Sequence, residues 1–341
     1  GNATQWINYN ARRMVATSMS AVALVTWPWK LLAGSANAEA WIIGLRAVQY
    51  GAAAVLFGLP AFLIYSGPNQ QALDLRWPRP ALLWAAAVLF LTAPAALVAQ
   101  ASMMAGSLME AIKPQTLWMM ISGMALAGAL VVRAVVALVA LAVILLIKPG
   151  ARLWWIASAL GAVIAASFAW TGHGAATEGP GHGIHLASDI LHALAASLWI
   201  GALAAFAALA LWRPADPSLQ DQALAHALGG FAHVGTLAVA VLVLTGLINS
   251  FYLVGWNGLG LLPVTAWGQL LFAKLVLFVA MIALAALNRF QLTPRSKVID
   301  AGFTIPIGHL RGSLLIEFGL AMAILALVAI MGTLAPPASL G

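Results

Sequence analysis

Long apolar stretches follow one another along nearly the whole chain, with only short polar connections between them. Nine can be located from their hydropathy, at residues 14–33, 41–66, 80–106, 116–147, 152–171, 185–212, 224–254, 266–290 and 309–335. A helix that crosses a bilayer needs about 20 mainly apolar residues. Only 7% of the residues are charged, against about 25% in a soluble domain, which excludes a water-soluble globular protein. The sequence predicts an all-α, polytopic transmembrane bundle of eight to nine helices.

The connections are too short to separate two folded units. Residues 41–341 are therefore predicted to form one transmembrane domain. Residues 1–40 are predicted to form an N-terminal extension that carries one additional helix.

The distribution of positive charge predicts the orientation of the bundle. With a cytoplasmic N-terminus, eleven of the 16 Lys and Arg residues lie at or near cytoplasmic helix ends. They are Arg12, Arg13, Arg76, Arg79, Lys148, Arg152, Arg213, Arg289, Arg295, Lys297 and Arg311. Cytoplasmic loops carry an excess of Lys and Arg. The N-terminus is therefore predicted to be cytoplasmic and the C-terminus periplasmic, with loops 107–115, 172–184 and 255–265 on the periplasmic side.

Several classes of function are excluded by missing residues or motifs. The chain has no cysteine, so thiolate metal sites, iron–sulfur clusters and Cys nucleophiles are impossible. It has neither a Gly-Lys-Ser/Thr phosphate loop nor a Gly-x-Ser-x-Gly elbow, and no basic run with interleaved aromatic residues. We therefore expect neither an enzyme nor a nucleic-acid-binding protein. Soft-metal chemistry must use Met and His.

Histidine is concentrated in one short part of the chain. Four of the seven histidines, His173, His182, His185 and His192, lie within 20 residues. His185, Asp189 and His192 are spaced i, i+4 and i+7, which places them on one face of a helix. Two imidazoles and a carboxylate are ligands suited to copper or zinc. The alternative is that these side chains only cap a helix at the membrane interface.

Methionine is also clustered. Six of eleven lie within residues 103–124, on the predicted periplasmic side, and the candidate ligands are Met103, Met104, Met120 and Met124. Thioether sulfur suits Cu(I), whereas imidazole and carboxylate suit Cu(II). We expect a sulfur of Met120 or Met124 within about 10 Å of His192, roughly two helical turns. The alternative is that the methionines fill an apolar core.

Two further groups of polar residues lie inside the apolar stretches. Lys274 and Glu317 are predicted to approach each other as an intramembrane charge pair. His226 and His233 are spaced i, i+7 on a helix that starts on the predicted cytoplasmic side, where His309 begins the last helix. These three histidines are a possible second metal site.

Several motifs resemble the copper resistance protein D family of bacterial inner-membrane proteins. They are Thr171-Gly172-His173, Ser188-Asp189-Ile190-Leu191-His192, Leu198-Trp199-Ile200-Gly201, Trp267-Gly268-Gln269, Asn288-Arg289-Phe290 and Ser313-Leu314-Leu315-Ile316-Glu317. The resemblance runs from about residue 41 to the C-terminus. It implies about eight helices, a role in copper handling between periplasm and cytoplasm, and a small periplasmic copper-binding protein as partner. Gln49 departs from the family pattern, because the early Arg-x-x-His motif has His there.

The favoured function is a copper permease or relay that captures copper with the periplasmic His/Asp/Met cluster. One rival is a haem-binding electron-transfer bundle, in which two histidines on facing helices ligate iron. His192 and His233 lie on consecutive helices but at different predicted depths, which disfavours haem. A third possibility is a membrane assembly subunit that transports no ion.

Overall fold

The structure is a computed structural model that describes residues 36–66, 77–172, 179, 181–212, 217–289 and 307–340. The predicted helix at 14–33 and the candidate ligand His173 lie outside the described residues. The chain divides into two compact units at Ile42, and the architecture below concerns the second unit, residues 43–341.

All regular structure in the described parts of the chain is helical. The ten α-helices are α1 Ala36–Tyr65, α2 Pro78–Ala105, α3 Leu108–Ala111, α4 Pro114–Gly123, α5 Ala125–Leu146, α6 Ala151–Ser167, α7 His182–Leu211, α8 Pro217–Gly258, α9 Ala266–Leu287 and α10 Ile307–Met331. Short 3-10 turns cover Phe168–Trp170, Leu259–Leu261 and Pro337–Ser339. Eight of the helices, all but α3 and α4, are long and apolar enough to cross a membrane. The predicted all-α, polytopic bundle is confirmed.

The apolar stretch predicted at 116–147 is two helices. Met124 has extended backbone angles, φ −127° and ψ 123°, which separate α4 from α5. Residues on both sides of Met124 are apolar, so hydropathy alone does not reveal this break. The break leaves α5, with 22 residues, as the membrane-spanning part.

Glycines allow α1 to pack closely against two neighbours. A Cβ on Gly58 would lie only 2.8 Å from the Cα of Gly201 in α7, and a Cβ on Gly161 of α6 would overlap the backbone of Leu56 and Phe57. Small residues let transmembrane helices approach at backbone distance. The glycines therefore hold α1 between α6 and α7.

The two ends of the bundle are referred to below by one residue each. The His182 end carries the start of α7 and α9 and the end of α8 and α10. The Arg289 end carries the end of α7 and α9 and the start of α8 and α10. The cation bias predicts that the Arg289 end faces the cytoplasm.

Candidate functional site

A cavity of about 240 Å³ opens among α1, α7, α8, α9 and α10 in the half of the bundle nearest the His182 end. Most of its wall is apolar, and Phe168, Ile200 and Leu271 contribute to it. Its polar lining includes His185, Asp189, His192, Asn249 and Lys274. The three residues that the i, i+4, i+7 spacing placed on one helix face therefore line one cavity.

Hydrogen bonds fix the tautomer of His192. Its Nδ1 lies 2.9 Å from the Thr245 hydroxyl on α8, and that hydroxyl donates to the carbonyl of Val241 at 2.6 Å. Because the hydroxyl proton is already used, neutral His192 must donate from Nδ1. Its Nε2 then carries a lone pair, the state that a metal ligand requires.

Asp189 is positioned by a neighbouring helix. Asn249 of α8 donates from Nδ2 to Asp189 Oδ1 at 3.4 Å. Lys274 of α9 is close enough to interact electrostatically with both Asp189 and His192. Two helices, α7 and α9, thus bring a carboxylate, an imidazole and an ammonium group to the same part of the cavity, and α8 supplies hydrogen-bond partners for the first two.

The predicted ligand set does not meet at a single point. The ring of His185 is buried and stacks on Tyr252, with centroids 4.7 Å apart and planes at 8°. His182 is the first residue of α7 and is not part of the cavity lining. Within the described ranges, no three His, Asp or Glu side chains converge closely enough to hold one metal ion. Two turns of helix, about 10 Å, separate His185 from His192.

The clustered methionines do not line the cavity. Met103 and Met104 are exposed, while Met120 is buried in a separate apolar cluster with Leu97 and Leu130, and Met124 packs against that cluster. This cluster is built by α2 to α5, whereas the cavity lies among other helices. The cavity does contain a methionine, Met331 at the end of α10.

Lys274 and Glu317 do not form the predicted pair. Glu317 is buried and accepts a hydrogen bond from Asn288 Nδ2 at 3.1 Å, at the end of α9. Lys274 lines the cavity, 14 residues earlier on α9. The two levels are therefore about 21 Å apart along that helix, too far for direct contact.

The three histidines predicted for a second site, His226, His233 and His309, are all exposed near the Arg289 end. They do not converge on one point with another His, Asp or Glu of the described chain. His233 also lies 12 residues before Thr245, which contacts His192. That is about 18 Å along α8, so these two histidines are poorly placed as axial ligands of one haem.

A second polar group lies behind the cavity wall. Arg133 of α5 is 2% exposed and donates to Ser167 Oγ at 3.1 Å, to Thr171 Oγ1 at 3.4 Å and to Gln49 Oε1. Its guanidinium lies 3.9 Å from the centre of the Phe168 ring. Gln49 also donates to the carbonyl of Thr92 at 2.9 Å. The residue that departs from the family motif therefore tethers a buried arginine.

Sequence reasoning did not assign the partners that complete the site. Thr245 and Asn249 lie on α8 and Met331 on α10, and Thr245 is 53 residues away from His192 along the chain. Polar residues inside apolar stretches, such as Arg133 and Asn249, are a usable signal because they are rare in membranes. No sequence pattern distinguishes Met331 from a core methionine.

Two family models match the chain. The model described as copper resistance protein D-like, N-terminal domain, covers residues 36–184, and the model described as copper resistance protein D covers residues 225–331. No solved structure matches the chain.

Curated relatives agree with these matches. Copper resistance protein D of Pseudomonas syringae pv. tomato is 34% identical over 308 residues, which are 88% of this chain and 98% of the relative. Inner membrane protein YebZ of Escherichia coli (strain K12) is 25% identical over 303 residues, 86% of this chain and 98% of the relative. Copper transport protein CutJ of Bacillus subtilis (strain 168) is 31% identical over 171 residues, 50% of this chain but 28% of the relative. This chain belongs to the copper resistance protein D family.

Proposed function

We propose that this protein moves or relays copper across the bacterial inner membrane and that the cavity near the His182 end is its capture site. Membership of the family and the similarity to a copper resistance protein and a copper transport protein support copper as the cargo. The similarity to an inner membrane protein supports the location. The observation that carries the proposal is the fixed tautomer of His192. This tautomer leaves the lone pair of Nε2 available to bind a metal ion, and His192 lines the cavity.

The available ligands suit both oxidation states of copper. His192 Nε2 and the Asp189 carboxylate suit Cu(II), and the Met331 thioether suits Cu(I). His185 lines the same cavity about 10 Å further toward the His182 end. In this proposal His185 receives copper first, and His192 with Asp189 holds it deeper in the bundle.

The remaining parts of the proposal concern partners and chemistry. The protein acts as a carrier and not as an enzyme, because copper gains and loses ligands without a covalent step. Besides the lipid bilayer, its partner is a small periplasmic copper-binding protein that delivers or accepts the ion at the His182 end.

Metal analysis of the purified protein tests the cavity as the capture site. We expect His192→Ala to lower bound copper markedly, because it removes the ligand whose lone pair is pre-oriented. The double variant His226→Ala/His233→Ala alters the other predicted site and should retain copper. Loss of copper in the double variant but not in His192→Ala would refute the cavity as the capture site. A Soret band in the visible spectrum would show that the protein binds haem and would contradict the copper proposal.

A further inference from the structure

Glu317 is a buried acid that the proposed capture of copper does not use. It lies within the membrane-spanning part of α10 and is 3% exposed. Its carboxyl group accepts a hydrogen bond from Asn288 Nδ2 and is close enough to the Trp199 indole to interact with it. Both partners are neutral, and Glu317 forms no ion pair with the described residues. Because an unpaired anion is costly inside a membrane, we expect a bound cation to neutralise Glu317.

The side of α10 that lines the cavity continues beyond it and carries Glu317. Glu317 precedes the lining residue Ile324 by seven positions, and residues seven apart lie on one side of a helix, about 10 Å apart. On α7, Trp199 follows the cavity residue His192 by seven positions in the same way. Both Glu317 and Trp199 therefore lie two turns further toward the Arg289 end than a cavity residue of their own helix.

The third helix, α9, shows the same relation. Lys274 lines the cavity, Met281 is buried seven positions later, and Asn288 follows after seven more. The side of α9 that begins at the cavity thus ends at the amide that donates to Glu317. Since α10 packs against both α7 and α9, three helix sides that line the cavity come together again at Glu317.

A proton is the cation that suits this position. A metal ion needs several ligands, and no three His, Asp or Glu side chains of the described chain converge on one point. A proton needs a single oxygen. Asn288 donates to Oε2 of Glu317, which leaves Oε1 to carry the proton.

The other charged or titratable groups on the helices packed here do not pair with Glu317. His192 is two turns from Trp199 on α7, and Lys274 is about 21 Å from Asn288 along α9. Arg289 is exposed and donates to the carbonyl of Ala232 on α8. On α10 itself, His309 is exposed and Arg311 lies six positions before Glu317, on a different side of the helix. Glu317 is therefore the one buried acid of the described part of α10, and its charge depends on its own proton.

We propose that Glu317 holds a proton while the cavity is empty and releases it when copper enters, which couples copper movement to proton movement. On release the Oε1–H bond breaks, its electron pair stays on the carboxylate, and the proton passes to water. The negative charge formed on Glu317 offsets the positive charge of the copper, because charges inside a membrane are weakly screened. The inference rests on the proposed function, since copper in the cavity is the event that releases the proton.

Proton release on copper binding tests this with the purified full-length protein. Copper(II) is titrated into weakly buffered protein, and the released protons are measured with a pH indicator. Glu317→Gln keeps the size of the side chain and an acceptor for Asn288. We expect this variant still to bind copper but to release about one proton fewer per copper than the wild type, because an amide does not ionise. Glu110→Gln is the matched control, since Glu110 is exposed and paired with Lys113, and it should release as many protons as the wild type.

Infrared spectroscopy of the wild-type protein gives a second measurement that needs no variant. We expect the copper-free protein to show the carbonyl stretch of a protonated carboxylic acid, and this band should weaken when copper is added. Carbon-13 labelling of the glutamate carboxyl groups assigns the band to glutamate. Equal proton release by Glu317→Gln and the wild type, or no protonated glutamate in the copper-free protein, overturns the inference and leaves the proposed function standing. If the wild-type protein binds no copper, the proposed function itself fails.

Discussion

At the scale of single residues, the site depends on where hydrogen-bond protons are placed. The Thr245 hydroxyl accepts from His192 only because its own proton bonds the carbonyl of Val241. A backbone carbonyl four residues earlier on α8 therefore decides which nitrogen of His192 is free. This is the role that outer partners of metal-binding histidines usually have.

Thr245→Val tests this dependence on one hydroxyl. Valine has nearly the same shape but cannot accept a hydrogen bond, so His192 loses the partner that fixes its tautomer. We expect copper affinity to fall roughly 10–100-fold, the range typical of such outer partners, with the protein still folded. Isothermal titration with copper measures the change. Thr236→Val on the same helix is the control, because Thr236 is exposed and remote from the cavity. Equal affinities for the two variants would contradict the assignment.

The residues that sequence analysis could predict are those related by helical periodicity. His185, Asp189 and His192 share one helix, so their common face follows from spacing alone, and all three line the cavity. The residues that could not be predicted come from other helices, because packing and not spacing brings them there. Lys274 illustrates this. Its predicted depth in the membrane suggested Glu317 as its partner, yet in the structure Lys274 lines the cavity near Asp189.

At the scale of helices, small residues determine which elements surround the cavity. Gly58 of α1 and Gly201 of α7 approach at backbone distance. Tyr50 and Ala54 of α1 line the cavity, as His192 of α7 does. The close α1–α7 contact therefore fixes one wall of the site.

Gly58→Ala should disturb this contact. The added methyl group would collide with the carbonyl of Ser197 and the Cα of Gly201. We expect a loss of about 1–3 kcal/mol, as for other overpacked sites, measured as a lower Tm in detergent, together with weaker copper binding. Gly51→Ala on the same helix meets no atom within 4 Å, so its Tm should be unchanged or slightly higher because alanine favours helix. A Gly58→Ala variant as stable as Gly51→Ala would show that the helices are not packed so closely.

At the scale of the whole molecule, the proposed direction of copper entry depends on which end faces the periplasm. The eight helices and their apolar surfaces establish a polytopic protein, but hydropathy is the same in either orientation. The bias of Lys and Arg toward the Arg289 end is an independent argument, because cytoplasmic loops retain positive charge. This argument predicts that the half of the bundle with the cavity faces the periplasm, where an ion must be captured before it meets the hydrocarbon.

Single cysteines test this orientation cleanly, since the native chain contains none. Ser339→Cys lies at the His182 end and Lys148→Cys at the Arg289 end, and both native residues are exposed. In intact spheroplasts a membrane-impermeant maleimide should label Ser339→Cys and leave Lys148→Cys unlabelled until the membrane is lysed. The cysteine-free parent controls for background. Labelling of Lys148→Cys from outside would show that the orientation is the reverse of the predicted one, with the cavity on the cytoplasmic side. A His182 end that faces the cytoplasm could release copper but could not capture it from the periplasm.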